Sequence, residues 1–192
     1  MHNIHNIMEI VQLNANAKLS EHLASPSEAA LGHSNKLDGS HLSPNFTLGE
    51  LTKSGSHPEV YNIPSHEAIA NLANLSKWLE VLRERAGTPI IINSGYRSPQ
   101  LNRKIGGAPN SNHLTGCAVD IRVSGMEQLI RYAAILLDYA DESKQDFDEL
   151  LIEKNRYGAI WLHFAVRPKD RSATQGDACQ SKNRRKVAFI NA

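Results

Sequence analysis

Cysteine is scarce in this chain. Cys117 and Cys179 are the two present, too few for a disulfide scaffold or for a zinc site built from thiolates. They are expected to be reduced, although the sequence leaves their pairing open. A charge of one sign is also missing. The formal net charge is +1, so there is no global electrostatic case for nucleic acid or a membrane surface as partner. No apolar run approaches the ~20 residues that span a bilayer. The first stretch, MHNIHNIMEIVQLNANAKL, has neither a basic n-region nor a continuous apolar h-region and does not read as a secretory signal. Cytoplasmic synthesis is therefore expected, with any action outside the cell reached by another route. The remaining composition is that of an ordinary globular protein, with 41% hydrophobic and 21% charged residues. The length fits one domain with some excess at an end.

Residues 1–44 carry most of that excess. They are rich in Asn, Ser, His and Ala, with few large apolar residues after Leu13. Such a segment buries too little surface to offset its ordering entropy and is expected to be a flexible extension. His2, His5, His22, His33 and His41 fall within it. Their irregular spacing fits a solvated tail better than a second metal site. The folded domain is expected over 45–170, opening at Pro44-Asn45-Phe46-Thr47. Residues 171–192 form a polar, basic tail with Lys182, Arg184, Arg185 and Lys186. Its apolar end, Val187 to Ile190, is a candidate edge strand.

Within the domain, Ile69, Leu72, Leu75, Leu79 and Leu82 recur at spacings of three and four. They predict a scaffold helix that starts at Pro64-Ser65 and ends at Gly87. TPIIINS reads as a buried strand. Gly106-Gly107 and Pro109-Asn110 mark a loop. In LTGCAVDIRV, Ala118, Asp120 and Arg122 share one strand face and Val119, Ile121 and Val123 the other. Ser124 to Glu127 fits a capping box for a second helix, whose apolar face is read as Leu129, Ile130, Ala133, Leu136, Leu137 and Ala140. DELLIEKNRYGAIWLHFAV reads as two strands joined by a turn at Asn155 to Gly158, with Trp161 and His163 facing the same way.

The chemistry concentrates in SGYRSPQLNRKIGGAPNSNHLTGCAVDIRV, residues 94–123, and in His163 downstream. His113, Asp120 and His163 make a three-ligand set with one position left open, the arrangement of a catalytic zinc rather than a structural one. Arg97 offers a guanidinium fork for a carboxylate or an oxyanion. Each residue also has a plainer reading. Asp120 fits a loop-capping carboxylate, His113 a structural histidine, His163 a half-buried strand histidine beside Trp161, and Arg97 a surface ion pair.

The combined pattern S-G-Y-R-S…L-N…G-G…S-x-H-x-x-G-x-A-x-D-I, followed by W-x-H, resembles zinc D-Ala-D-Ala carboxypeptidases and related peptidoglycan peptidases. That group includes phage cell-wall endopeptidases and shares a fold with vancomycin-resistance D,D-dipeptidases and the hedgehog signalling domain. FTLGELTKS and YNIP resemble its lead-in, so the likeness runs from about Asn45 to Val166. The resemblance implies an α+β fold, a small and mainly antiparallel sheet flanked by helices, with the metal on the sheet's open face. It implies a single Zn2+ per chain on His113, Asp120 and His163, and substrate contacts from Arg97, Ser111 and Tyr96. It also implies hydrolysis of D-amino-acid peptide bonds in peptidoglycan stem peptides, as carboxypeptidase or endopeptidase, with action on the wall after lysis, in a phage particle or by other export.

One position departs from the pattern. Several relatives place a general-base carboxylate three residues before the last histidine, where this chain has Ile160. Glu153 on the preceding strand is the expected substitute, ahead of Glu149 and Asp148. If Asn155 pairs with Ala159, Glu153 faces the His163 side; if Asn155 pairs with Gly158, it points away. A non-catalytic cell-wall-binding module or phage virion component is the alternative if no carboxylate reaches the metal.

Overall fold

The computed structural model describes residues 39–55, 57–168 and 185–191. The expectations for residues 1–38, for Cys179 and for most of the basic tail lie outside them. The described residues include a strand slightly upstream of Pro44, the expected start of the domain. Strand β1 (His41–Ser43) pairs with β2 (Phe46–Thr47), and Leu42 is buried. Helix α1 (Leu48–Leu51) follows at once, because Thr47 and Glu50 close a reciprocal capping box around its first turn.

Helix α2 (His66–Ala86) is the spine. Ser65 caps it by accepting from the Ala68 N–H, and Gly87 ends it with φ 65°. The whole expected stripe is buried, joined by Trp78. Trp78 packs edge-on to Tyr139 at 4.8 Å and tilts against Phe164 at 5.3 Å. Helix α4 (Met126–Ser143) lies beside it.

A five-stranded sheet backs these helices. Its strands are β3 (Ile92–Ser94), β4 (Ala118–Arg122), β5 (Phe147–Lys154), β6 (Ile160–Val166) and β7 (Lys186–Asn191). Their spatial order is β3-β4-β6-β5-β7. All neighbours are antiparallel except β5 and β7. Val119, Ile121, Leu150, Leu162 and Phe164 point into the core shared with α2 and α4. Strand alternation then sends Asp120 and His163 to the opposite face. The fold is therefore α+β with a mainly antiparallel sheet, as expected, and the candidate edge strand is formed.

Three local readings are corrected. TPIIINS is not a buried strand: β3 is the sheet's edge, and Ile91 is 51% exposed. Ser124 does not cap α4. Gly125 is the N-cap, and Gln128, one residue beyond Glu127, accepts from the Ser124 N–H at 2.7 Å. Ile130 points outward, and Tyr132 takes the core position. Helix α3 (Pro99–Lys104) was not anticipated. Its signal was present in Ser98-Pro99, an N-cap followed by proline in the first turn.

The turn after β3 is fixed by a close approach. A Cβ on Gly95 would stand 2.3 Å from the Leu51 carbonyl oxygen, and the Tyr96 N–H already donates to that oxygen at 2.7 Å. Backbone cannot yield as a side-chain tip can. Gly95→Ala is expected to lower the unfolding free energy by about 1–3 kcal/mol, read from denaturant melts; an unchanged midpoint would contradict the packing described.

Candidate metal centre

Each of the three candidate donors is delivered by a different device. His113 sits in a 3-10 turn (Asn112–Thr115) that Ser111 caps and Gly116, at φ 73°, ends. Helix α2 holds this turn through Asn71, whose amide donates to the Thr115 carbonyl at 2.9 Å. A Cβ on Gly116 would meet the Ala68 carbonyl oxygen at 2.5 Å, so glycine is needed there on two counts. Asp120 and His163 lie directly opposite each other on β4 and β6. All three are buried, at 2%, 6% and 6% exposure.

Their donor atoms converge. Asp120 Oδ1 lies 3.3 Å from His113 Nε2 and 2.9 Å from His163 Nδ1. These atoms lie within 4.8 Å of one another and form a group that can hold a metal ion. The far nitrogens have partners that set the tautomers. His113 Nδ1 donates to the Gly95 carbonyl at 2.6 Å. His163 Nε2 faces Glu149 Oε2 at 3.5 Å. With protons held on these far nitrogens, His113 Nε2 and His163 Nδ1 would be the donors to a metal bound beside Asp120, which is how second partners prepare metal-ligating imidazoles.

The electrostatics favour a cation. Burial opposes the charge on Asp120, but His113 and then His163 outweigh it and hold the carboxyl well below its usual range. Burial alone would also lower the His163 pKa. Asp120, Glu149 and the charge of Glu153 instead raise it to about 9. The Asp120 charge is thus matched by positive charge at this point, a role that a cation on the three groups would also fill. Two nitrogens and a carboxylate suit zinc and other first-row metals.

Arg97 stands beside the group. Its Nε donates to Ser94 Oγ at 2.9 Å and its terminal nitrogen to Asp120 Oδ2. Asp120 is thereby held from behind while Oδ1 faces the imidazoles. Asn62 pins the arginine turn, accepting from the Ser98 N–H at 2.6 Å and donating to the Tyr96 carbonyl at 2.8 Å. One asparagine in a loop gives no sequence signal for such a role.

The other expected site residues divide. Ser111 Oγ accepts from the His113 N–H at 3.4 Å, a supporting contact for the turn. Tyr96 is 6% exposed within the hydrophobic core, so its ring is placed for packing more than for a substrate. The hairpin adopts the register in which Asn155 meets Ala159, putting Glu153 opposite Trp161. Glu153 Oε2 there accepts from the Trp161 indole N–H at 2.6 Å. Glu149 approaches His163 more directly. Its carboxyl is lowered to about 2 by the His163 contact first, against the pull of burial, and then by Lys186. Asp148 accepts from the Asn112 amide at 3.1 Å.

A buried His-Asp-His group on the open face of such a sheet is a candidate metal centre. The family sequence model described as Peptidase M15 matches residues 44–144, a little over half of the chain. The chain belongs to the Peptidase M15 family. It is also similar to the zinc D-Ala-D-Ala carboxypeptidase of Streptomyces albus G, at 38% identity over 79 residues. That stretch is 40% of this chain and 31% of the relative, so the chain spans about a third of the relative's length. The matched family span includes Arg97, His113 and Asp120 but ends before Glu149, Glu153 and His163.

Ligand binding to the folded state alone adds stability. Zinc at about 100 times its Kd is expected to stabilise the protein by about 2.7 kcal/mol, seen as a raised melting midpoint. Asp120→Ala removes the central donor and is expected to abolish that rise. An equal zinc-dependent rise in the variant would place the metal elsewhere.

Proposed function

We propose that the protein is a zinc peptidase that hydrolyses D-amino-acid-containing peptide bonds in peptidoglycan stem peptides. The observation that carries this is the buried convergence of His113, Asp120 and His163 with Arg97 beside it. Membership in the Peptidase M15 family and the relative's name support the metal and the substrate class. Zinc held there would supply Lewis acidity toward a peptide carbonyl and toward water.

The chain's own residues take the other parts. Two imidazoles and one carboxylate orient the centre, and their burial strengthens every charge interaction within it. Arg97 keeps Asp120 aimed, and its remaining N–H groups are available for a stem-peptide carboxylate or the developing oxyanion. Glu153 is the proposed general base. Trp161 holds Oε2, leaving Oε1 to take a proton from the attacking water and pass it to the leaving amine. Action on the wall after lysis, in a phage particle or through another export route belongs to this proposal.

A second reading is favoured by one observation. Ile160 occupies the position of the relatives' carboxylate, and Glu153 is turned onto an indole. A protein that binds wall through a structural zinc would need no base. Glu153→Gln decides between these. The proposal expects kcat on stem peptides to fall roughly 10²–10⁴-fold with zinc content unchanged. Undiminished turnover in the variant rejects Glu153 as the base. A zinc-loaded wild type that binds peptidoglycan but releases no amino acid or peptide supports the binding module.

A further inference from the structure

The sheet continues past the hairpin into β7, beyond the span matched by the family model. Its first residue, Lys186, lies opposite Glu149. Leu150 enters the core, so strand alternation sets the neighbouring Glu149 side chain on the metal-facing side, and the register shift between Phe147 and Glu149 lets Phe147 reach the core as well. The carboxylate then joins three separate pieces of the chain. Oε1 accepts from Lys186 Nζ at 2.9 Å. Oε2 accepts from the Asn112 amide at 3.1 Å and lies 3.5 Å from His163 Nε2. Asn112 immediately precedes His113, and β6 carries His163, so Glu149 touches the supports of both imidazole donors.

We infer that Glu149 is a positioning residue of the metal centre, fixing His163 as an Nδ1 donor, and that Lys186 of the C-terminal strand holds Glu149 in that role. The inference rests on the metal-centre reading above. It separates the two carboxylates of β5. Glu153, with one oxygen uncommitted among the described residues, is left for proton transfer. Glu149, with both oxygens engaged by Lys186, Asn112 and His163, orients a ligand and takes no proton from substrate. It also makes β7 part of the site's support, although none of its residues is a donor.

Metal affinity and ligand geometry are the readouts, because a general base would move neither. Zinc affinity is measured by competition with a chromophoric chelator, and the ligand field by the visible bands of the cobalt(II)-substituted protein. Glu149→Ala is expected to weaken zinc binding roughly 10–100-fold and to alter the cobalt bands. Glu149→Gln keeps an oxygen for the His163 N–H and is expected to retain most of the affinity. Lys186→Met is expected to give a smaller loss, roughly two- to fivefold. Melting curves without metal establish that each variant folds. If Glu149→Ala does not, Glu149→Leu keeps the volume, removes the acceptor and is read the same way. Wild-type affinity and cobalt bands in the acceptor-free variant would overturn the inference. So would full affinity in Glu149→Gln combined with lost hydrolysis, which assigns Glu149 as the base. A wild-type protein that takes up no zinc would instead overturn the metal-centre reading beneath it.

Discussion

Asp120 is a carboxylate held in a nearly dry setting, and the architecture around it follows from keeping that charge satisfied. An isolated buried carboxylate would neutralise. This one meets two imidazoles through Oδ1 and a guanidinium through Oδ2. The partners come from three directions: a 3-10 turn, the facing strand β6 and the turn after β3. Each direction has its own anchor. Helix α2 holds the 3-10 turn, the β4–β6 ladder holds His163 in register, and the Leu51 carbonyl with Asn62 holds the Gly95–Arg97 turn.

The core on the other side of the sheet supplies the rigidity this needs. Trp78, Tyr139, Phe147 and Phe164 pack ring against ring between the helices and the sheet. Because strand side chains alternate, fixing Val119 and Ile121 against the helices also fixes the aim of Asp120. Fixing Leu162 and Phe164 does the same for His163. Packing and site geometry are thus two faces of the same strands, and a one-residue slip in either would send a donor into the core.

Much of this was legible from periodicity. The α2 stripe, the alternation of β4 and the hairpin joining β5 to β6 depend on local pattern, and the structure follows it. The three candidate donor positions stood out through the combined motif, since each residue alone also has a plain structural reading. Other features were hidden by context. TPIIINS has the composition of an interior strand, but only the sheet order makes β3 an edge. The Ser124 box competed with a start one residue later, and local sequence separates the two poorly. Tyr96 belongs to the motif, yet its ring serves the core. The pairing of Glu149 with Lys186 joins residues 37 apart, and two common surface residue types at that separation carry no signal until the strands are aligned.

The central claim is that one metal ion sits on two imidazoles and one carboxylate. X-ray absorption at the zinc edge of the purified protein tests it most directly. The account requires a first shell of nitrogen and oxygen only, near 2.0–2.1 Å, with outer scattering from two imidazole rings. A sulfur shell near 2.3 Å, or a single imidazole, would contradict the site described.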